Sequence, residues 1–431
     1  LIVYAEHITP RVIYIFRQFF ALAGLDEPEI TGNLKLFLED NRNKLSYCTE
    51  PVHNGMNITP SGLLFENKIR KIMPEAEKWK DSYCFFRTSS EGDFPFDIFS
   101  AAFFLLSRYE EYLPFDPDEH GRYTASQSWM GENKLLHLPL VDQWAKMFTE
   151  IIRKNFPAEI IKEKKFNYRI TIDVDNAWAY LHKGFLRTTA AGLRTAINGN
   201  KDEKLLRKKV LKGIEKDPYD TYDFILENKG PAELTFFFLF GKYSKFDKNI
   251  PTTQPAFRKL IRRLSEKAEI GLHPAYFSLN NTQKILREKD ELEKVTGKKI
   301  ISSRQHYLRM NLPETYRHLV KAGIKEDFSM TFSDQTGFRA GTGNPFLFYD
   351  LTEEKSLPVI IHPSAIMDAT MKYYMHLQPH TAVTVSNTII NEIKKVNGSA
   401  CLHWHNESLS DSGAWTGWKK VFTSQLETCR L

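Results

Sequence analysis

Cysteine is scarce in this sequence: Cys48, Cys84, Cys401 and Cys429 stand far apart, and no two form a CxxC pair. That spacing excludes a zinc ribbon or a thioredoxin-type motif and leaves buried free thiols as the default. Long apolar runs are missing as well. The opening LIVYAEHITPRVIYIF breaks at Pro10 and at charges, so it reads as neither a signal peptide nor a membrane span. A soluble, cytoplasmic protein is the expectation. A strong charge of one sign is also absent: 59 basic residues against 53 acidic leave a formal +6. Much of that excess sits in runs such as residues 201–212, KDEKLLRKKVLK, where leucines recur at helical spacing. A solvated helix face accounts for this run. No aromatics interleave it as a single-strand binding platform requires, so nucleic acid is not an expected partner.

Aromatic residues, by contrast, are plentiful at 13%, with 31 Phe and 18 Tyr. Core packing is their ordinary use, and stacking on sugar faces is another. The length of 431 residues suits two domains. Residues 1–160 open with a strand, LIVYA, and a helix that Pro10 starts. Residues 96–113, FDIFSAAFFLLSRYEEYL, read as a buried helix whose Arg108, Glu110 and Glu111 surface at one end. No metal-ligand spacing or nucleophile motif stands out in this half.

From residue 166 to 431 the pattern changes. The β-rich runs YRITIDV, LTFFFLF, AEIGLH, KIISSR, IKEDFSM, PVIIH and ACLHWH recur, separated by helical stretches such as NTQKILREKDELEKV before Gly297. Strands alternating with helices imply parallel pairing, and seven such units predict a distorted (β/α)7 barrel beside a separate N-terminal α/β domain. In parallel barrels, chemistry gathers at the carboxyl ends of strands. Here the first run ends in Asp173-Val174-Asp175, the third in His273, the fourth in Arg304-Gln305-His306 and the last in His403-Trp404-His405. Side chains alternate along a strand, so Asp173 and Asp175 share one side. Two carboxylates with several imidazoles on one rim suit Zn²⁺ or another divalent first-row metal. Each residue also has a plain alternative. An Asp at a strand end caps helices and forms turns, and His273 before Pro274 fits a hydrogen-bonded loop. Four ionisable strand ends together are harder to explain that way, because unpaired burial is costly.

These motifs resemble those of the polysaccharide deacetylases (NodB-homology, carbohydrate esterase type) from about Phe166 onward. The likeness implies Asp173 as general base, Asp175 and His273 as metal ligands, Arg304 as the group that orients Asp173, and His405 as general acid. The family's second metal-binding His falls at Phe277, and His306 then stands as the replacement ligand. Tyr307, Trp404 and Arg339 are the candidates for contacting substrate; for Arg339 a structural salt bridge is an equal alternative. PFDIFSAAFFLLSRYEEYLPF and ITPSGLLFE resemble an accessory domain that precedes this domain in a group of bacterial proteins. The likeness implies a metal-dependent deacetylase, with zinc or cobalt, manganese or nickel, acting on an N- or O-acetylated carbohydrate. Rival readings are hydrolysis of a small non-peptide amide on the same scaffold and a degenerate domain that only binds glycan. A metal-free glycosidase using Asp173 and Asp175 leaves the histidines unexplained.

Overall fold

The computed structural model describes residues 1–88, 94–183 and 201–431. Near the N-terminus a parallel sheet has the order β2-β1-β3-β4, from strands β1 (Ile2–Ala5), β2 (Glu29–Thr31), β3 (Lys44–Tyr47) and β4 (Met56–Ile58). The helix Pro10–Leu22 meets this sheet through Phe16, whose ring lies 5.6 Å from that of Tyr47. Thr9 caps the helix by accepting from the Val12 amide at 3.2 Å, and Pro10 costs nothing at the first turn, where its missing N–H has no partner to lose. Its buried phenylalanines meet those of the neighbouring helices, with Phe16 and Phe99 rings 4.2 Å apart. A short antiparallel pair, β5 (Glu77–Trp79) and β6 (Ser82–Cys84), follows.

The apolar stretch from Phe96 is buried, as its composition predicts, but the helix is shorter. It runs Ile98–Leu106, capped by Asp97, and every residue in it is buried. Arg108 then takes a left-handed φ of 53° and starts a 3₁₀ turn over Tyr109–Tyr112. Arg108, Glu110 and Glu111 do not surface. Arg108 donates to Glu111 at 2.8 Å and to Glu110 at 2.7 Å, and Arg339 grips Glu111 with two bonds of 2.9 and 2.6 Å. Arg339 is thus a buried structural cation: of its two expected roles the salt bridge is the one found, and the substrate-contacting role is corrected. The reason is mutual: four charges with almost no solvent access are tolerable only as a hydrogen-bonded network.

The second sheet holds nine strands in the order β12-β13-β11-β10-β9-β8-β7-β15-β14. They are β7 (Asn167–Val174), β8 (Glu233–Leu239), β9 (Glu269–His273), β10 (Ser302–Ser303), β11 (Glu326–Asp327), β12 (Phe346–Asp350), β13 (Lys355–Ile361), β14 (Ile366–Met367) and β15 (Ser399–His405). All seven anticipated β-runs are present and pair in parallel with their neighbours; only β12 is antiparallel. The expected closed barrel is not found. Among the described residues no pairing joins β14 to the β12–β13 edge. Residues 362–365 lie between those edges, and Ser364 donates to Met330 O and Cys401 O rather than extending a ladder. The apolar core continues from one sheet to the other, all four cysteines are buried free thiols, and no described helix is long and apolar enough to cross a membrane.

Arg339→Ala leaves Glu111 with one buried partner instead of two, and losing one member of such a network costs about 3–5 kcal/mol. Urea denaturation should show a midpoint well below wild type with divalent-metal uptake retained; an unchanged midpoint would contradict the network's role.

Candidate metal centre and active site

The carboxyl ends of β7, β9 and β15 and the turn after β10 meet at one cavity of about 330 Å³. Alternation along the strands decides which side chains enter it. On β15, His403 and His405 face inward, opposite Thr171 and Asp173 of β7. Trp404 therefore points outward: it is fully buried, its indole donates to Gln425 at 2.9 Å, and it packs on Phe422 of the helix Trp418–Arg430. That removes Trp404 from the substrate-contacting set. Tyr307, with a left-handed φ of 60°, does line the cavity. Phe277 does not; its side chain lies on the surface, 55% exposed.

Asp175, His273 and His306 converge with ligand atoms within 4.8 Å of one another. His273 Nδ1 lies 2.5 Å from the carbonyl oxygen of Arg304, which can only accept, so Nδ1 carries the hydrogen. His306 Nδ1 lies 2.9 Å from the Asp247 carboxylate and must donate likewise. In the neutral imidazoles both Nε2 atoms are then lone pairs. They face Asp175, His273 Nε2 at 3.2 Å from Oδ1 and His306 Nε2 at 3.5 Å from Oδ2, and Oδ1 is buried without a hydrogen bond. Three acceptors aimed at one point require a shared cation, supplied by protons or by a metal. Burial alone would discharge His306, but Asp175 and then Asp247 hold its proton to about 9. A divalent ion would replace that proton, and the nitrogen–nitrogen–oxygen donor set is one that could hold it.

Asp173, His403 and His405 form a second cluster of possible ligands. There the charge is already balanced. Arg304, fully buried, donates to Asp173 Oδ1 at 2.8 Å and to Thr171 at 2.7 Å. Burial would raise the Asp173 carboxyl, yet Arg304 and then His403 hold it far below the usual carboxylate range. Burial and then Arg304 depress His403 to about 4, so it is neutral and donates through Nε2 to Asp173 Oδ2 at 2.8 Å. A metal ion beside Arg304 would be repelled, which favours the Asp175 cluster as the cation site.

His405 has a different environment. Its Nδ1 meets Asp368 Oδ1 at 2.8 Å, and its backbone amide donates to Asp368 Oδ2. Burial opposes charge, but Asp368 lifts His405 to about 10, so the ring is protonated at neutral pH. Its Nε2 lies in the cavity, 4.0 Å from Asp175. Sequence patterning missed both supporting carboxylates. Asp368 follows the two-residue strand β14, and Asp247 lies in an irregular loop after β8.

Residues 1–157 match a family of unknown function, DUF7033, and no curated protein matches the chain. Among solved structures, it is similar to a putative polysaccharide deacetylase from Mycobacterium smegmatis at 16% identity and TM-score 0.40, over 62% of this chain and 85% of that one. A probable polysaccharide deacetylase from Pseudomonas aeruginosa PAO1 gives 10% identity and TM-score 0.40, over 61% and 84%. The polysaccharide deacetylase Bc1974 from Bacillus cereus gives 12% and 0.30, over 62% and 88%. With likenesses of this size, the functional reading rests on the site itself.

His306→Ala should abolish stoichiometric zinc uptake measured by elemental analysis. His318→Ala should not, since His318, on the helix Glu314–Lys321, pairs instead with Thr282. Asp247→Asn should weaken zinc affinity by about 10–100-fold, the usual effect of losing a group that orients a ligand. Equal affinities for Asp247→Asn and wild type would refute the tautomer argument.

Proposed function

We propose that the chain is a divalent-metal hydrolase that removes acetyl groups from an N- or O-acetylated glycan. The observation that carries this reading is the convergence of the His273 and His306 Nε2 atoms on Asp175, next to a carboxylate paired with Arg304 and an imidazole paired with Asp368. Asp175, His273 and His306 would hold the ion, with zinc the best match and cobalt, manganese or nickel also compatible. Such an ion, when bound, polarises an acyl carbonyl and makes water more acidic.

The remaining steps belong to side chains of this chain. Asp173 stays deprotonated between Arg304 and His403 and takes the proton of the attacking water. Arg304 fixes its orientation and keeps it charged. His405 holds a proton at Nε2 inside the cavity and gives it to the departing amine or alkoxide, with Asp368 stabilising the imidazolium until transfer. Tyr307, Tyr373 and Trp415 present rings on which sugar faces can stack. Hydrolysis of a small non-peptide amide remains the second reading, because 330 Å³ is at the small end of ligand cavities.

Asp173→Asn and His405→Ala should keep zinc and fold while acetate release from an N-acetylglucosamine oligomer falls by about 10²–10⁴-fold. Zinc-loaded wild type that releases no acetate from any acetylated glycan would end the deacetylase reading. A screen of small amides would then separate the second reading from a protein that only binds glycan.

A further inference from the structure

We infer that the N-terminal half supplies a wall of this site, through Arg122, and that the occupant is consequently a chain end or a single sugar unit rather than the interior of a polymer. The inference rests on the glycan reading above. Residues 116–123 leave the N-terminal half as a loop organised by Asp118, which accepts from the backbone amides of His120 and Arg122, each at 2.9 Å, and from Arg122 Nε at 2.7 Å. Held this way, the Arg122 guanidinium is 4% exposed and enters the cavity lining. Its Nη1 donates to the Tyr307 carbonyl at 2.9 Å, and its Nη2 donates to the Tyr374 hydroxyl at 2.9 Å. His120 adds a ring contact to Tyr307 at 4.6 Å, and its carbonyl accepts from Arg309 at 2.8 Å.

Tyr307 and Tyr374 belong to distant parts of the large sheet. Tyr307 follows β10 and Tyr374 follows β14, with β9, β8, β7 and β15 between them in the hydrogen-bonded order. One side chain from the other half of the protein therefore ties together two rim segments that are separated by four strands. A polymer lying across an active site needs two open ends, and on this inference Arg122, which lines the cavity, closes one of them. The small cavity volume agrees with this. Arg122 touches no ligand atom of the metal cluster, so its role is to position the two tyrosines that flank the substrate.

The test uses the zinc-loaded full chain and a linear N-acetylglucosamine oligomer with one end reduced, so that ends and interior give separate signals. Saturation-transfer NMR on wild type should show contact concentrated on one terminal unit. In Arg122→Ala, with zinc content and circular dichroism unchanged, the contrast between end and interior should collapse, and Arg122→Lys should restore part of it. Equal contact with interior units in wild type would overturn the inference alone. So would a folded Arg122→Ala that keeps the end preference. If Arg122→Ala fails to fold, the wild-type contact pattern decides by itself. Zinc uptake without contact to any unit would sink the glycan reading and this inference with it.

Discussion

The Nδ1 hydrogens of His273 and His306 are already committed, one to the Arg304 carbonyl and the other to the Asp247 carboxylate, and this commitment turns both Nε2 atoms toward Asp175. Two imidazoles and a carboxylate so constrained cannot satisfy one another as neutral groups. The cluster needs an added positive charge, supplied by a proton or by a metal ion. A metal ion is the reading that leaves the fewest groups unpaired. The neighbouring cluster shows the contrast: Arg304 supplies its positive charge, and both Asp173 carboxylate oxygens have a donor, Arg304 on one and His403 Nε2 on the other.

The two catalytic candidates differ for the same electrostatic reason. Asp173 faces a permanent cation and remains a carboxylate, whereas His405 faces Asp368 and remains an imidazolium. Opposite protonation states thus coexist across one small cavity at neutral pH, which is the arrangement acid–base chemistry requires. For each, the largest contribution opposing burial comes from a partner at 2.8 Å, Arg304 for Asp173 and Asp368 for His405.

Much of this was legible in the sequence, and the failures have physical causes. Strand alternation placed Asp173 with Asp175, and the rule that parallel strands end at the site brought His273, His306 and His405 to it. The same alternation should have excluded Trp404, which lies one residue out of phase with His403 and His405 and packs on the outer helices. Arg108 is not at the surface, and Arg339 takes the structural salt bridge rather than the substrate contact, because nothing local distinguishes a solvated arginine from one that meets Glu111 in the fold. Asp247, Asp368 and Arg122 come from loops or a two-residue strand, where no periodicity exists to read. Their positions follow from tertiary docking alone. Barrel closure failed for a related reason: the seven expected strands are joined by β12 and β14, and the connection between β13 and β14 uses its hydrogen bonds elsewhere.

The central claim is that a single divalent ion sits among Asp175, His273 and His306. Anomalous diffraction at the zinc edge from crystals grown with equimolar zinc tests it most directly. The account predicts one strong peak at about 2.0–2.2 Å from an Asp175 oxygen and from Nε2 of both histidines. A peak placed instead among Asp173, His403 and His405, or none at all, would contradict it.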